Sequence, residues 1–148
     1  MNFFLPFLLS YSPLKIFFLY YKMLVKTFGS AVFGIDAQTI TLEIYYGSGQ
    51  PAYFVVGLPD GAVKESMFRI EASFKTIGLK TPRQRIIINL APADLRKEGS
   101  AYDLPMALGI LAVSEQISAE NLDNYIIMGE LSLDGSLQLI KGALPIAI

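Results

Sequence analysis

Residues 87–108 read IINLAPADLRKEGSAYDLPMAL, and this stretch decides the fold of the 148-residue chain. Its beginning completes an apolar run from Arg85 to Leu90, which predicts a central strand. A polar loop follows, and Asp103 after it is a suitable N-cap for a helix. Pro105 would then lie in the first helical turn, where proline is tolerated. Joints of this kind between a strand and a helix often carry a nucleophile or an anion site.

Upstream of this joint the pattern predicts three strands in succession. Residues 24–33 contain small and β-branched side chains around Gly29, which predicts a strand with a kink or bulge. Residues 39–46 alternate apolar and polar side chains, as half-buried strands do, and residues 53–58 form a third apolar run. Because short turns separate these strands, the sheet is expected to begin as an antiparallel one.

The spacing of apolar residues then changes to that of a helix. Asp60 is the expected N-cap and Gly78 the expected C-cap of this helix. The residues that share its apolar face recur at spacings of four and three, and they are Val63, Met67, Ile70, Phe74 and Ile77. We interpret this stripe as core packing.

Towards the end of the chain, Asp134-Gly135 is a strong signal for a hairpin turn. Two strands are predicted around it, at 126–128 and within 131–140, and a third helix is expected near Gly142. The order β-β-β-α-β-α-β-β predicts an α+β two-layer sandwich, in which the helices cover one face of a mixed sheet. Because the chain stops at residue 148, where that helix begins, we interpret residues 23–148 as one domain that is truncated at its C-terminus.

Composition narrows the possible functions. The formal net charge is −1, with 12 basic and 13 acidic residues, so no bulk field favours nucleic acid or a membrane surface. The chain contains neither cysteine nor histidine. This excludes disulfides, thiolate zinc sites and nucleophilic catalysis that depends on cysteine or histidine.

Residues 1–22 differ from the rest of the chain. They read MNFFLPFLLSYSPLKIFFLYYK, which is long enough to cross a bilayer. Pro6, Pro13 and Lys15 interrupt the run, however, and no basic region or cleavage site of a secretory signal is present. We interpret the segment as the product of a mis-assigned start codon with Met23 as the natural start. A membrane-associating segment, and hence a membrane-anchored adaptor, is the alternative.

The remainder of the chain resembles one family closely. The matching strings are VGLP at 56–59, VKE at 63–65, INLAPADL at 88–95, KEG at 97–99, YDLP at 102–105 and GEL at 129–131. In sequence and in order, these strings resemble the N-terminal domain of the ComM/YifB family of magnesium chelatase-like AAA+ ATPases. The family pattern has proline where this chain has Arg96.

The resemblance implies a fold shared with the Lon protease catalytic domain, GHMP kinases and a ribosomal small-subunit protein domain. It also implies that the whole protein is a cytoplasmic homo-hexamer, in which an ATPase module uses ATP and Mg²⁺ for DNA branch migration during natural transformation. The present chain lacks the GxxxxGK[ST] loop, so it is not expected to bind ATP itself, and no membrane partner is expected.

Kinship with Lon raises the question of a Ser-Lys peptidase, in which a desolvated lysine activates a serine. When the Lon-type serine loop is laid over residues 97–103, the serine position falls on Ala101. The position of the catalytic lysine falls on Ile146, and that of the other lysine in the motif on Leu144. The resemblance therefore implies a domain without catalysis. A residual peptidase that uses Ser100 and Lys141 is the alternative.

Two further clusters could bind ligands. Asp94, Glu98 and Asp103 could hold Mg²⁺ through oxygen atoms, but a structural network in the loop is the interpretation we favour, and no metal site is predicted. The basic residues are the candidates for contact with DNA or phosphate. They are Lys75, Lys80, Arg83, Arg85, Arg96 and Lys97.

Overall fold

The computed structural model describes residues 23–33 and 36–140, except for the side chain of Phe33. The elements are β1 (Leu24–Phe33), β2 (Asp36–Gly47), β3 (Ala52–Val56), α1 (Gly61–Thr76), β4 (Arg85–Ala91), α2 (Asp103–Val113), a 3-10 turn (Leu122–Asn124), β5 (Glu130–Leu131) and β6 (Leu137–Gln138). They confirm the predicted α+β class. The third helix expected near Gly142 lies outside the described residues.

Strands β1 to β4 form one mixed sheet in the order β1-β2-β4-β3. Strand β4 is central, as its apolar sequence predicts. Strand β2 pairs antiparallel with both β1 and β4, whereas β3 pairs parallel with β4. The prediction of three successive antiparallel strands is therefore wrong for β3. Strand β2 has β1 on one side and β4 on the other, so β3 does not pair with it. The chain returns through α1, and this connection makes β4 run in the same direction as β3.

Both helices pack on one face of this sheet, as predicted. Helix α2 contacts β1, β2 and α1, and the apolar side chains of both helices join one core with the inward residues of the sheet. These inward residues include Ile40, Leu42, Ile44, Ile86, Ile88 and Leu90. No described helix covers the other face, and Tyr45, Phe54 and Val56 are exposed there. The result is a two-layer sandwich.

Gly29 does not interrupt β1, so the predicted kink or bulge is wrong. Pairing between β1 and β2 keeps one register from Leu24 opposite Tyr45 to Phe33 opposite Asp36. Packing explains the glycine instead. A Cβ atom at Gly29 would lie 3.1 Å from Sδ of Met128 and 3.4 Å from the ring of Tyr102. The glycine thus provides the space that these two side chains fill.

The ends of α1 agree with the sequence pattern. The Asp60 carboxylate accepts a hydrogen bond from the N–H of Val63, as expected of an N-cap. After the last helical turn, Gly78 adopts a left-handed conformation with φ of 79°, and the N–H of Leu79 donates to the carbonyl of Phe74. This is the usual glycine ending of a helix. Ile77 ends the predicted apolar stripe but is exposed.

Two predictions near the C-terminus need correction. Tyr102 occupies the N-cap position of α2, and Asp103 is the first helical residue rather than the cap. The hairpin at Asp134-Gly135 exists, but its strands β5 and β6 have two residues each. At 126–128 there is only an isolated bridge between Ile126 and Phe28. The carboxylate of Asp103 accepts hydrogen bonds from Arg69 and Leu131 instead.

Candidate functional site

The loop after β4 is attached to the start of α1. The backbone of Lys97 pairs with the segment before the helix, since its N–H donates to Leu58 and its carbonyl accepts from Asp60. The Asp60 carboxylate accepts from the N–H of Val63 at 2.8 Å and from the N–H of Gly99 at 3.1 Å. One side chain therefore holds both the first turn of α1 and the loop after β4.

Replacing Asp60 with alanine should lower the free energy of unfolding by about 2 kcal/mol. Loss of an N-cap costs about 1 kcal/mol, and the bond to Gly99 adds a similar amount. Urea denaturation followed by circular dichroism measures the change. Asp60→Asn keeps an acceptor oxygen for the cap, so it should lose less than the alanine variant. Equal losses in the two variants would contradict this role of the carboxylate.

Ser100 and Lys97 in this loop have partners other than each other. The hydroxyl of Ser100 donates to a carboxylate oxygen of Glu130. Lys97 is fully buried, and its amino group donates to the carbonyl of Pro92. Burial lowers the pKa of Lys97, and the nearby Asp94 acts in the opposite direction. Within the described residues, Ser100 has no lysine as its hydrogen-bond acceptor.

Residue 101, the expected serine position, is an alanine whose carbonyl accepts the N–H of Gly129 at 2.8 Å. The backbone at this position therefore fastens the loop to the segment before β5. Lys141, Leu144 and Ile146, on which the comparison with the Lon dyad also depends, lie outside the described residues.

A buried ion pair adjoins the same loop. Arg69 on α1 donates from Nε to Oδ2 of Asp103 at 2.7 Å and from Nη2 to Oδ1 at 2.9 Å. These hydrogen bonds raise the pKa of the Arg69 guanidinium. The fully buried Asp103 also accepts the N–H of Leu131 at 3.1 Å. The pair thus joins α1, α2 and β5.

Sequence reasoning missed this pair, because it assigned Asp103 to the helix cap and Arg69 to no role. A signal was present, however. Small residues line the part of α1 around Arg69, where Ala62 and Ser66 both accept hydrogen bonds from the guanidinium. Residues three and seven positions before an arginine share its helical face, so small side chains there leave room for the guanidinium to lie along the helix.

The carboxylates that were considered for Mg²⁺ have separate roles. Glu98 pairs with Arg96 at 3.1 Å on the surface, while Asp103 pairs with Arg69 in the interior. Among the described residues, no three side chains of the kinds that bind metals come together. Nor does that part of the chain contain a helix long and apolar enough to cross a membrane.

The six basic candidates do not form one surface. Lys75, Lys80 and Arg83 line a single groove of about 630 Å³. Arg85 lies over the ring of Phe54, at 5.4 Å from the ring centre, on the face of the sheet opposite the helices. The two loop residues have the partners given above, and the burial of Lys97 removes its amino group from the surface. Three of the six therefore remain candidates for a common ligand.

Comparison with known proteins identifies the family. Residues 42–148 match the family model described as subunit ChlI of Mg-chelatase. The chain belongs to the ChlI family. This match includes the joint between β4 and α2, and it confirms the relationship that the sequence strings indicate.

Relatives of this ChlI-family chain include YifB of Escherichia coli, which is 45% identical over 117 residues. Competence protein ComM of Haemophilus influenzae is 40% identical over 122 residues. These alignments cover 79% and 82% of the present chain but only 23% and 24% of the relatives. The chain thus spans about a quarter of the length of the curated relatives it matches.

Proposed function

We propose that this chain is a non-catalytic N-terminal domain of a ComM-type magnesium chelatase-like AAA+ ATPase. In this proposal the motor binds ATP and Mg²⁺ in a separate ATPase module, assembles as a homo-hexamer in the cytoplasm, and drives DNA branch migration. The domain serves the motor through assembly, regulation or DNA engagement. Similarity to competence protein ComM supports the role in transformation.

The absence of peptidase activity rests on the hydrogen bonding of Ser100. A serine nucleophile of the Ser-Lys type needs a neighbouring neutral lysine that accepts its proton. The Ser100 hydroxyl instead faces the Glu130 carboxylate, while the lysine closest in sequence has its amino group buried against Pro92. The desolvated lysine of this loop therefore has no serine to activate.

We expect no covalent labelling of the full chain by a fluorophosphonate probe, because only an activated hydroxyl attacks phosphorus at a useful rate. Intact-mass spectrometry measures the label, and an active serine hydrolase serves as the positive control. Ala101→Ser places a serine at the position expected for the Lon-type nucleophile. This variant should also remain unlabelled, because the position expected for the catalytic lysine is occupied by Ile146. Labelling that disappears in Ser100→Ala would contradict the proposal and favour the residual peptidase.

The part of the proposal that concerns the motor has a separate test. The DNA sequence after the codon for Ile148 should encode a P-loop followed by the acidic Mg²⁺-binding motif of an ATPase. An authentic stop codon with no ATPase beyond it would overturn the motor and favour a stand-alone adaptor.

A further inference from the structure

The groove at the end of α1 carries three cations that form no ion pair within the described residues. Lys75 lies in the last turn of α1, and Lys80 and Arg83 lie in the segment that leads to β4. All three side chains are exposed. In the described part of the chain, the ion pairs use other basic residues, namely Lys26, Arg69 and Arg96. Positive charge is therefore available at the rim of a concave surface.

The segment that carries two of these cations is held in place. The side-chain amide of Gln116 accepts the N–H of Lys80 at 2.9 Å and donates to its carbonyl at 2.8 Å. The hydroxyl of Tyr53 donates to the carbonyl of Pro82 at 2.9 Å. These bonds fix the backbone at Lys80 and Pro82 without using the amino or guanidinium groups. A ligand would therefore meet an ordered loop and bear little of the entropy cost of ordering it.

We infer that this groove binds the sugar-phosphate backbone of a single nucleic-acid strand. Exposed cations favour an anionic ligand, and three of them lining one groove can each neutralise a separate phosphate of a strand. Tyr46 lines the same groove. A combination of basic and aromatic side chains is the pattern with which proteins hold single strands. The inference deepens the proposed function, because it assigns DNA engagement to one surface of the domain.

Substitution of Glu71 allows the expected direction of the change in affinity to be checked. It lines the same groove, so its carboxylate opposes any anion there. Removal of this negative charge should strengthen binding, whereas removal of a groove cation should weaken it.

The test measures anisotropy of a labelled oligothymidylate with the full chain between about 50 and 200 mM salt. Each phosphate contact to a single strand contributes about −0.7 to the slope of log K against log salt. We expect a slope of about −2 for the unaltered chain and close to zero for a variant in which Lys75, Lys80 and Arg83 are all replaced by glutamine. Glu71→Gln should bind more tightly than the unaltered chain.

Lys64→Gln is the matched control, because Lys64 is an exposed lysine near the other end of α1 and does not line the groove. It should leave the slope unchanged. Because every substituted side chain is exposed, the variants should keep the far-ultraviolet circular dichroism of the parent. The same slope in the triple variant and in Lys64→Gln would overturn the inference.

Two competitors distinguish other anionic ligands. Tighter binding of a duplex of the same length would overturn the single-strand assignment, and displacement of the oligonucleotide by equimolar pyrophosphate would identify a site for a small anion instead. Failure of the groove to bind leaves the fluorophosphonate result and the search for a P-loop unaffected. The inference and the proposed function therefore fail in distinguishable ways.

Discussion

Replacing Arg69 with alanine should lower the free energy of unfolding by about 3–5 kcal/mol, because a buried carboxylate then loses its counter-charge. Asp103 is fully buried, and Leu131 would be its remaining hydrogen-bond partner among those described above. Urea denaturation at neutral pH measures the loss. Strand β5 should also become more susceptible to limited proteolysis, because the ion pair with Arg69 no longer fixes the Asp103 side chain that holds this strand.

Glu65→Gln is the control for Arg69→Ala. Glu65 pairs with the same guanidinium at 3.8 Å, but its side chain is 68% exposed. Exposed pairs of this kind contribute about 0.3–0.5 kcal/mol, so the control should stay close to the parent. Equal losses in the two variants would contradict the assignment of a dominant buried pair.

Replacing Gly57 with alanine should lower the free energy of unfolding by about 4 kcal/mol. Gly57 has φ of 95°, and a Cβ atom there would lie 2.1 Å from the carbonyl oxygen of Leu90 in the central strand. Backbone strain accounts for about 2 kcal/mol and displacement of the packed strand for about 2 kcal/mol more. The midpoint of urea denaturation measures the combined effect.

Gly99→Ala separates the two contributions. Gly99 has φ of 86°, but a Cβ atom there would meet no heavy atom within 4 Å. The control should therefore show the strain of about 2 kcal/mol alone. A Gly57 variant as stable as the Gly99 variant would contradict the clash with Leu90.

The sequence was sufficient to predict those elements whose side chains follow one clear period. The apolar run of β4 predicted its central place, and the spacing from Val63 to Phe74 predicted the buried face of α1. The helix signal arises because burial of one face imposes a period on the apolar residues. Asp60 at the start of α1 was also identified correctly, since the capping interaction is local.

The errors involve interactions between residues distant in the chain. The neighbour of β3 depends on which sheet edges remain free after β2 has paired on both sides, and a local turn signal does not contain that information. The role of Asp103 likewise depends on Arg69, which lies 34 residues earlier. For Gly29, the cause is the tertiary contact with Met128 and Tyr102 rather than strand geometry.

Some features of the candidate site can likewise be predicted from the sequence, and others cannot. The presence of alanine at residue 101, where a Lon-type serine would be expected, follows from sequence alone, because it is a matter of residue identity. The separation of six basic residues among a groove, a sheet face and a loop does not, because it depends on how the chain folds. Burial of Lys97 is the clearest case, since sequence composition gives a lysine no reason to be inside.

The shared acceptor at Asp60 has a consequence for local opening of the domain. The amides of Val63 and Gly99 lie 36 residues apart in the chain, yet both depend on one carboxylate. If that side chain rotates away, both protons lose their acceptor in the same event. In terms of hydrogen exchange, the first turn of α1 and the loop after β4 therefore belong to one cooperative unit.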